Sequence, residues 1–418
     1  MSTTTAESRP ARSGIMASFS LLGDGGYRSY WIANFVYFLV FGAQRFAFVL
    51  LVLELSDNAG LGGVVGFALG IPAFFITVPA GVWADRLDRK TMVLASNLGG
   101  AVVAGAAAAL AAADVISVPL AMALALAAGV VAASVQPPLT AIVQMIVPPA
   151  RLTQGIVLRT MGQNLAQFFG TAIGGVTIAL LDYRGAFAVL AGGYLLVAAS
   201  MLGVRLPAAA PSAAARPPMW AAAKESARFV FGDRALRGLV IFSVISGLFM
   251  LGPTFVLIPQ IGREKLGVGA GPNSLLLALL GVGMFVMSLF LLTRREVRRK
   301  GHWFAVNLLW AGPVMIATGW SSHYWLTAVL MTLWGLGGGV YVNLNQTLIQ
   351  SNTPNAMMGR VMSIYSLSIA GIIPLGSLLA GAGAAAIGAD RYQMLSGLIL
   401  GIAAVWGFLT LRELRALD

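Results

Sequence analysis

An arginine inside an apolar stretch is the first residue in this chain whose chemistry needs an explanation. Arg45, with Gln44 beside it, lies near the middle of the run 31–53, among aliphatic and aromatic neighbours. An isolated guanidinium in hydrocarbon costs about 3 kcal/mol on insertion scales, so it usually faces water or a polar partner. Two interpretations are open: Arg45 contacts a bound molecule, or backbone carbonyls and a neighbouring amide satisfy it.

Amides and hydroxyls recur in two later apolar stretches, where they could hydrogen-bond a polar ligand. Gln136, Thr140 and Gln144 follow one another at four-residue intervals, which places them on one face of a helix. Hydrogen bonding between neighbouring helices is the alternative role for these side chains. A similar set lies in the second of the two stretches: Tyr341, Asn343, Asn345, Thr347 and Gln350.

A polar stripe runs along the stretch 155–181. Thr160, Asn164, Gln167 and Thr171 recur at helical spacing and therefore share one face. Small residues in the same stretch would let membrane helices approach closely, and close packing is one explanation of the pattern. The other polar and small residues of interest here are Arg159, Gln163, Gly162, Gly170, Gly174 and Gly175.

Residues that could catalyse a reaction or hold a metal are scarce. No Asp or Glu lies deep in an apolar stretch, and Glu54, at the far end of the first stretch, comes nearest. His302 and His323 lie at loop ends without metal-ligand spacing. Cysteine is absent, which excludes disulfides and thiolate sites. A membrane enzyme would need such groups inside the membrane, so the sequence predicts no enzyme, no metal and no cofactor.

The elements that position these residues are predicted to be membrane-spanning helices. Hydrophobic residues make up 58% of the chain and charged residues 10%, and each apolar stretch approaches the ~20 residues that cross a bilayer. Such spans must be helical, because lipid offers no partner for backbone polar groups. The predicted spans are 31–54, 59–82, 91–113, 116–146, 155–181, 185–204, 238–262, 274–293, 303–321, 324–348, 361–387 and 393–411.

The basic residues indicate how the chain is oriented. The formal net charge is +12, and most Lys and Arg fall in the tails and in the loops that share a side with the N-terminus. This asymmetry predicts that both termini are cytoplasmic. The basic clusters would then contact anionic lipid headgroups, so we expect membrane lipids and not nucleic acid as partners. The polar segment 1–26 contains no cleavable signal peptide.

A charged loop interrupts the apolar pattern between the second and third spans. The segment 81–90 reads Gly-Val-Trp-Ala-Asp-Arg-Leu-Asp-Arg-Lys. It resembles G-x-x-x-D-R-x-G-R-[RK], the loop signature of the major facilitator superfamily, over all positions except Asp88, which replaces a glycine. An aspartate at this position resembles the loop of the efflux branch that contains the enterobactin and macrolide exporters. The resemblance extends over almost the whole chain, from about Tyr27 to Leu411.

The resemblance implies roles for particular residues. In this superfamily the first, fourth and tenth spans line a central cavity, and the stretch 170–175 is similar to an antiporter signature, with Thr171 in place of proline. Asp85 is expected to contact the start of the eleventh span near Arg360 and to lock the cytoplasmic gate. The implied substrate-binding residues are Arg45, Gln44, Gln136, Thr140, Tyr341, Asn343 and Thr347. The implied gating, antiporter-motif and proton-coupling residues are Gly81, Asp85, Arg86, Arg89, Lys90, Arg360, Gly170, Gly174, Gly175 and Glu54.

The chain also repeats itself, which predicts two six-helix halves. A shift of 206 residues (381 minus 175) pairs Gly170 with Gly376 and Gly175 with Gly381. We therefore expect an all-α membrane protein of the major facilitator fold, with about twelve transmembrane helices. Its predicted parts are an N-terminal half (1–204), a cytoplasmic linker with an amphipathic helix (205–237) and a C-terminal half (238–418).

Together these features predict a monomeric secondary transporter of the cell membrane. The expected activity is export of a small amphiphilic molecule by alternating access, and proton coupling is implied by the resemblance. Arg45 and Arg159 would make the cavity electropositive, which favours neutral or anionic substrates such as a drug-like compound or a siderophore-like metabolite. Import of a small nutrient is the alternative, because importers share the fold.

Overall fold

A computed structural model describes residues 19–56, 58–76, 88–148, 151–206, 219–293, 299–354, 357–410 and 413. Across these residues the secondary structure is helical, without β-strands. The α-helices are α1 (Gly25–Ser56), α2 (Ala59–Gly70), α3 (Arg89–Ala112), α4 (Val118–Ile146), α5 (Leu152–Leu202), α6 (Met219–Gly232), α7 (Arg234–Ser246), α8 (Gly252–Glu264), α9 (Ala270–Thr293), α10 (Lys300–Trp320), α11 (Tyr324–Ser351), α12 (Met358–Ser366), α13 (Ile373–Ile387) and α14 (Ala389–Thr410).

The membrane spans follow the predicted pattern. Ten helical stretches in the described residues are long and apolar enough to cross a membrane. The longest, Gln154–Leu202, breaks at Asp182, whose φ of 55° and ψ of −175° are not helical, so it supplies two spans. The 21-residue α10 is not among the ten, but it packs against α11 and α14. The ten stretches supply eleven spans, because one of them is divided, and α10 supplies the twelfth.

Two spans contain a π-helical turn, which the sequence pattern does not predict. The turn Gly247–Leu251 joins α7 to α8, and the turn Leu367–Gly371 joins α12 to α13. The two turns contact each other. π-helical turns widen a helix locally and are frequent at functional sites, and here the two turns lie against each other within the C-terminal half.

Polar caps fix where several helices begin. Asp88 precedes α3, and its Oδ2 accepts hydrogen bonds from Thr91 N at 3.0 Å and Thr91 Oγ1 at 2.7 Å. Asn58 caps α2 through Gly60 N, and Asp233 caps α7 through Leu236 N, each at 2.8 Å. Such caps satisfy the unpaired N–H groups of a helix start. The aspartate that departs from the loop signature thus stabilises the start of the third span.

The internal repeat is visible as equivalent packing. Gly170 packs against α1, because a methyl group built on it would lie 2.0 Å from Leu39 O, and Gly376 packs in the same way against Gly247 O at 2.5 Å. The next pair contacts the opposite half: Gly175 faces α9, and Gly381 faces α2. The two halves are therefore joined by two equivalent helix pairs, α5 with α9 and α2 with α13.

Candidate functional site

One end of the bundle is sealed by direct contact between the halves, and we call this end, which carries the Asp182 turn, the closed end. A methyl group built on Gly63 would lie 2.6 Å from Gly381 Cα. On the other side of the bundle, a methyl group on Gly175 would lie 2.0 Å from Ser274 Oγ. Neither Gly63 nor Gly175 could carry a side chain unless its neighbour moved, because real Cβ atoms do not approach other atoms so closely.

An aromatic layer lies directly below this seal, and it consists of Phe168, Phe255 and the guanidinium of Arg45. The two rings stack with centroids 6.5 Å apart, and Arg45 Cζ lies 4.1 Å from the centroid of Phe255. Arg45 belongs to α1 and Phe255 to α8, so this cation–π contact joins the two halves. Gly281 closes the layer, because a methyl group there would lie 2.1 Å from Phe168 Cβ.

At the opposite end, which we call the open end, polar side chains are exposed between the halves. On α4 these are Thr140 and Gln144. Within the described residues, α4 and α11 are not among the helix pairs in extensive contact. Polar side chains inside a membrane protein usually face water-filled space rather than lipid, so we interpret the exposed groups on α4 and α11 as the lining of a polar cleft at this end, and we call this cleft the cavity. The exposed polar residues on α11 are Gln346, Thr347 and Gln350.

Arg159 lies in the wall of this cavity formed by the N-terminal half. Its side chain is 8% exposed, and Nη2 donates to Thr140 Oγ1 at 3.2 Å and to Gln163 Oε1 at 3.0 Å. Two buried phenols, Tyr27 and Tyr30, lie close enough to interact electrostatically with its charge. Arg159 is not among the binding residues predicted from the sequence. The feature that could have identified it is a cation within a span that contains no carboxylate.

The matching wall of the C-terminal half is neutral and tightly packed. Ser243, Ser246, Tyr341 and Asn345 form a buried polar cluster beside the π-helical turns, in which Asn345 Nδ2 donates to Ser243 Oγ at 2.9 Å. Tyr341 also stacks on Phe304, with ring centroids 5.6 Å apart. This cluster lies inside the half, so Tyr341 does not line the cavity in this conformation.

The predicted binding residues therefore divide into two groups. Thr140 and Thr347 are exposed in the cavity, and Gln136 is half-buried beside it. Gln44 is only 3% exposed and accepts a hydrogen bond from Tyr194 Oη at 2.8 Å within the N-terminal half. Asn343 is half-buried, and its Nδ2 donates to Ser288 Oγ at 2.8 Å, which joins α11 to α9. The structure exposes both threonines and packs Gln44 inside the N-terminal half.

The glycines of the antiporter-like stretch are packing surfaces. Gly170 and Gly174 lie against the backbone of α1, at Leu39 and Ala43. Gly175 lies against Ser274 of the opposite half and forms part of the seal. These contacts show close packing, the role that small residues have between membrane helices.

Glu54 lies at the closed end. Its side chain is exposed, and the surroundings of Tyr183 include both Glu54 and Arg263. Arg263 Nη1 donates to Leu53 O at 2.5 Å, so the end of α8 is tied to the end of α1 in the other half. Glu54 thus follows a residue whose carbonyl accepts a hydrogen bond that joins the halves.

The gating residues are only partly described. Gly81, Asp85 and Arg86 lie outside the described residues, as does the side chain of Arg360, whose backbone belongs to the first turn of α12. The other two lie at the open end. Arg89 Nη1 donates to Met145 Sδ at 3.0 Å, and Lys90 Nζ donates to Leu202 O at 2.9 Å and Val204 O at 2.8 Å.

The charge at Asp88 is stabilised by its capping role. The hydrogen bond from the Thr91 hydroxyl, with further help from backbone N–H groups and Lys90, lowers the pKa of the Asp88 carboxyl below its usual value, and partial burial opposes this. No group of three or more His, Cys, Asp or Glu among the described residues could hold a metal.

The comparisons with known proteins agree with this architecture. The Major Facilitator Superfamily model matches residues 30–377. "Multidrug efflux pump Tap" of Mycolicibacterium fortuitum is 28% identical over 396 residues, which are 90% of this chain and 93% of that protein. "Macrolide efflux protein A" of Streptococcus pyogenes is 22% identical over 379 residues, 88% of this chain and 92% of that protein.

A solved structure shares the fold. The bacterial homologue of the human lysosomal transporter Spinster, in an inward-facing and occupied conformation, superimposes with a TM-score of 0.72 and 15% identity. The match covers 93% of this chain and 98% of that one. With its apolar helices and a family match over most of its length, the chain belongs to the Major Facilitator Superfamily and is a multi-pass membrane transporter rather than an enzyme.

Proposed function

We propose that this transporter exports a small amphiphilic molecule across the bacterial cell membrane by alternating access. The observation that supports the proposal best is that the sealed end lies opposite the end rich in basic residues, where polar side chains of α4 and α11 are exposed. Arg89, Lys90, Arg151, Arg205 and Arg237 are among the cations at that end. By the positive-inside rule this end is cytoplasmic, with both termini. The cavity is then open to the side from which an exporter loads.

The relatives favour export over import. Those from M. fortuitum and S. pyogenes are named as efflux proteins, and each matches this chain over more than four fifths of its length. Their names include multidrug and macrolide efflux, so a drug-like amphiphile is the substrate class that we propose, with a siderophore-like metabolite beside it. Import of a small nutrient remains the second candidate, because the fold serves both directions.

Transport in oriented vesicles tests the direction. Inverted membrane vesicles that contain the protein should accumulate a radiolabelled, uncharged drug-like amphiphile above the level of vesicles without it. Right-side-out vesicles of the same preparation should not accumulate it. Concentrative uptake into right-side-out vesicles alone would overturn export in favour of import.

We further propose that Glu54 couples transport to protons. It is an exposed carboxylate at the closed end, and it lies near the Arg263–Leu53 hydrogen bond that must break when this end opens. In proteoliposomes with an imposed pH gradient, Glu54→Gln should abolish gradient-driven accumulation and preserve downhill exchange. Glu264→Gln is the matched control, because Glu264 is a carboxylate at the same end that accepts from Gln260 at 3.0 Å. An unchanged gradient response in Glu54→Gln would contradict this role.

The loop 81–90 is proposed to control the open end. Asp85 would pair with the start of α12 when this end shuts, because a helix start carries about half a positive charge. Asp85→Asn should then favour the inward-open state and reduce transport without loss of folding. We propose the same division into halves, 1–204 and 238–418, with 205–237 as the linker, and a monomer as the working unit.

A further inference from the structure

The charge of Arg159 is not balanced by an acidic side chain among the described residues. Arg159 takes part in none of the ion pairs between described residues, and its only side-chain acceptors there are the neutral Thr140 and Gln163. A buried cation usually requires an anionic partner, because desolvation strongly disfavours an isolated charge. Arg159 is 8% exposed, so solvent supplies only part of what is missing.

The hydrogen-bonding capacity of this guanidinium is also only partly used. An arginine carries five N–H donors. Both donors of Nη2 are engaged, whereas Nε is buried without a partner and Nη1 donates to no described group. Thr140 accepts from Arg159, so its own hydroxyl proton is free to point into the cavity, where the side chain is exposed. Arg159 and Thr140 thus present a set of donors without acceptors.

The surrounding groups would not compete for an anion. The hydroxyl of Tyr27 donates to Gly155 O at 2.8 Å, and that of Tyr30 donates to Leu139 O at 2.9 Å, so both phenols are already used. The second half does not repeat the charge, because the 206-residue shift (365 minus 159) pairs Arg159 with Tyr365. The cavity therefore has a cationic wall in the N-terminal half and a neutral wall in the C-terminal half.

Arg45 does not perform the same task in this conformation. The backbone of Arg159 lies beside Asn34, whose Nδ2 reaches Arg159 O at 3.5 Å. Asn34 and Arg45 are separated by eleven residues of α1, or about 16 Å along a helix. Arg45 stacks on Phe255 at the top of the cavity, whereas Arg159 lies nearer the open end, where a loading substrate arrives first.

We propose that Arg159 and Thr140 form an oxyanion subsite, which binds a carboxylate, sulfonate or similar group of the transported amphiphile. This inference rests on the proposed transport cavity and adds the charge of the substrate and the residues that recognise it. The ionic group would sit against the N-terminal half, and the apolar body would extend toward Tyr365 and the aromatic layer. Charge-assisted hydrogen bonds to the guanidinium would hold the oxyanion in place.

Equilibrium binding to the purified full-length protein tests the subsite without any assumption about transport direction. The probes share one ring: 2-naphthalenesulfonate, 2-naphthalenemethanol and (2-naphthylmethyl)trimethylammonium. In phosphatidylcholine nanodiscs, isothermal titration should give the sulfonate an apparent Kd about tenfold or more below that of the alcohol, the size expected for one charge-assisted interaction. The ammonium probe should bind more weakly than the alcohol.

Variants identify the residues responsible. Arg159→Gln should raise the Kd of the sulfonate to that of the alcohol and leave the alcohol unchanged, whereas Arg159→Lys should keep part of the preference. Thr140→Val should weaken sulfonate binding severalfold, and Thr140→Ser should preserve it. Arg184→Gln is the matched control, because it removes an exposed cation at the closed end. If Arg159→Gln does not fold, the two Thr140 variants and the binding of the three probes to the unmodified protein still test the subsite.

Three results would overturn the proposal. One is equal binding of sulfonate and alcohol by the unmodified protein. Another is a sulfonate preference that survives Arg159→Gln but disappears in Arg45→Gln. A third is loss of sulfonate binding when phosphatidylglycerol replaces part of the phosphatidylcholine, because the subsite would then belong to an anionic lipid headgroup. A transporter that proves to be an importer would leave all these binding results intact.

Discussion

Gly63 and Gly381 meet backbone to backbone across the two halves. A methyl group built on Gly63 would lie 2.6 Å from Gly381 Cα, and one built on Gly381 would lie 2.5 Å from Gly63 Cα. The equivalent contact on the other side of the bundle joins Gly175 to Ser274. In an alternating-access cycle, both contacts must form when the closed end shuts and separate when it opens.

The first prediction concerns the size of residue 63. Gly63→Ala places a methyl group against backbone, which cannot move aside as a flexible side chain can. Overpacking of this kind costs about 1–3 kcal/mol, so the ratio of inward-open to outward-open molecules should fall by roughly tenfold. The measurement is the rate at which an impermeant maleimide labels Gln144→Cys, an exposed position on α4, in inverted vesicles.

The control for this experiment is Gly105→Ala. Gly105 lies in α3 with nothing within 4 Å of a built methyl group, so its substitution should leave the labelling rate unchanged. Equal labelling rates in the two alanine variants would show that the glycine contact does not set the conformational equilibrium.

The second prediction is a reversible covalent lock on the closed end. The natural chain contains no cysteine, so introduced thiols have no competitors. A Cβ built on Gly271 lies 3.6 Å from Ala179 Cβ, and one built on Gly60 lies 3.7 Å from Ala385 Cβ. Both distances suit a disulfide. Ala179→Cys/Gly271→Cys and Gly60→Cys/Ala385→Cys should therefore cross-link on oxidation, lose transport and regain it on reduction.

Each single-cysteine variant serves as the control for its pair, and oxidation should leave its transport unchanged. Continued transport by a fully cross-linked pair would mean that this end does not need to open.

The third prediction is that Arg45 contributes to charge selection during transport. Its guanidinium has no described carboxylate partner and lies on Phe255, at the top of the cavity. Arg45→Gln should reduce export of an anionic compound selectively, with smaller effects on a neutral one, because like charges repel and opposite charges attract strongly where screening is weak. Efflux assays with one anionic, one neutral and one cationic compound measure this. Equal loss of all three would indicate a structural role for Arg45 instead.

The fourth prediction concerns pH and the start of the third span. The carboxyl pKa of Asp88 is lowered, chiefly by the Thr91 hydroxyl hydrogen bond. Its contribution to stability is therefore complete above the unfolded pKa, about 4, and is lost as pH falls through the folded pKa. Loss of an N-cap costs about 1 kcal/mol, so Asp88→Ala should lower the unfolding midpoint at pH 7, and the difference should shrink below about pH 4.

Asp88→Asn is the control, because an amide caps the helix but does not titrate. The difference in unfolding midpoint between the Asn and Ala variants should stay constant with pH. A wild-type advantage over Ala that also stays constant down to pH 3 would contradict the role of the ionised carboxylate.

The sequence predicted the spans well, because span length and apolarity are local properties. The break at Asp182 coincides with the predicted gap between 181 and 185. The π-helical turn Gly247–Leu251 was not predictable, since no residue pattern distinguishes it from the α-helix on either side. Tertiary contact with the turn Leu367–Gly371, more than a hundred residues away, accompanies it.

The site was predicted less completely, and helix geometry explains why. Successive residues differ by about 100° around a helix, so Gln44 and Arg45 cannot share a direction, and Gln44 points to Tyr194 instead. For the same reason Tyr341 and Asn343, two positions apart, lie on nearly opposite sides of α11. The sequence identified which spans contribute polar groups, but not which face of each span meets the cavity.

The contact of Arg45 with Phe255 shows a second limit of prediction from the sequence. The two residues are far apart in sequence and belong to opposite halves, so their contact depends on how the halves are arranged. A pattern within one span cannot show a contact that depends on the state of the whole molecule. Conformation-dependent partners need the assembled structure.

The glycine seal at the closed end has an energetic consequence. An interface of bare backbone fits closely, yet it covers very little apolar side-chain surface on either helix. Apolar burial stabilises a contact by roughly 25 cal/mol per Å², so parting Gly63 from Gly381 exposes little surface that water disfavours. Separating this pair of glycines therefore costs less free energy than separating two helices joined by large apolar side chains, so less energy from substrate binding or an ion gradient is needed at this contact.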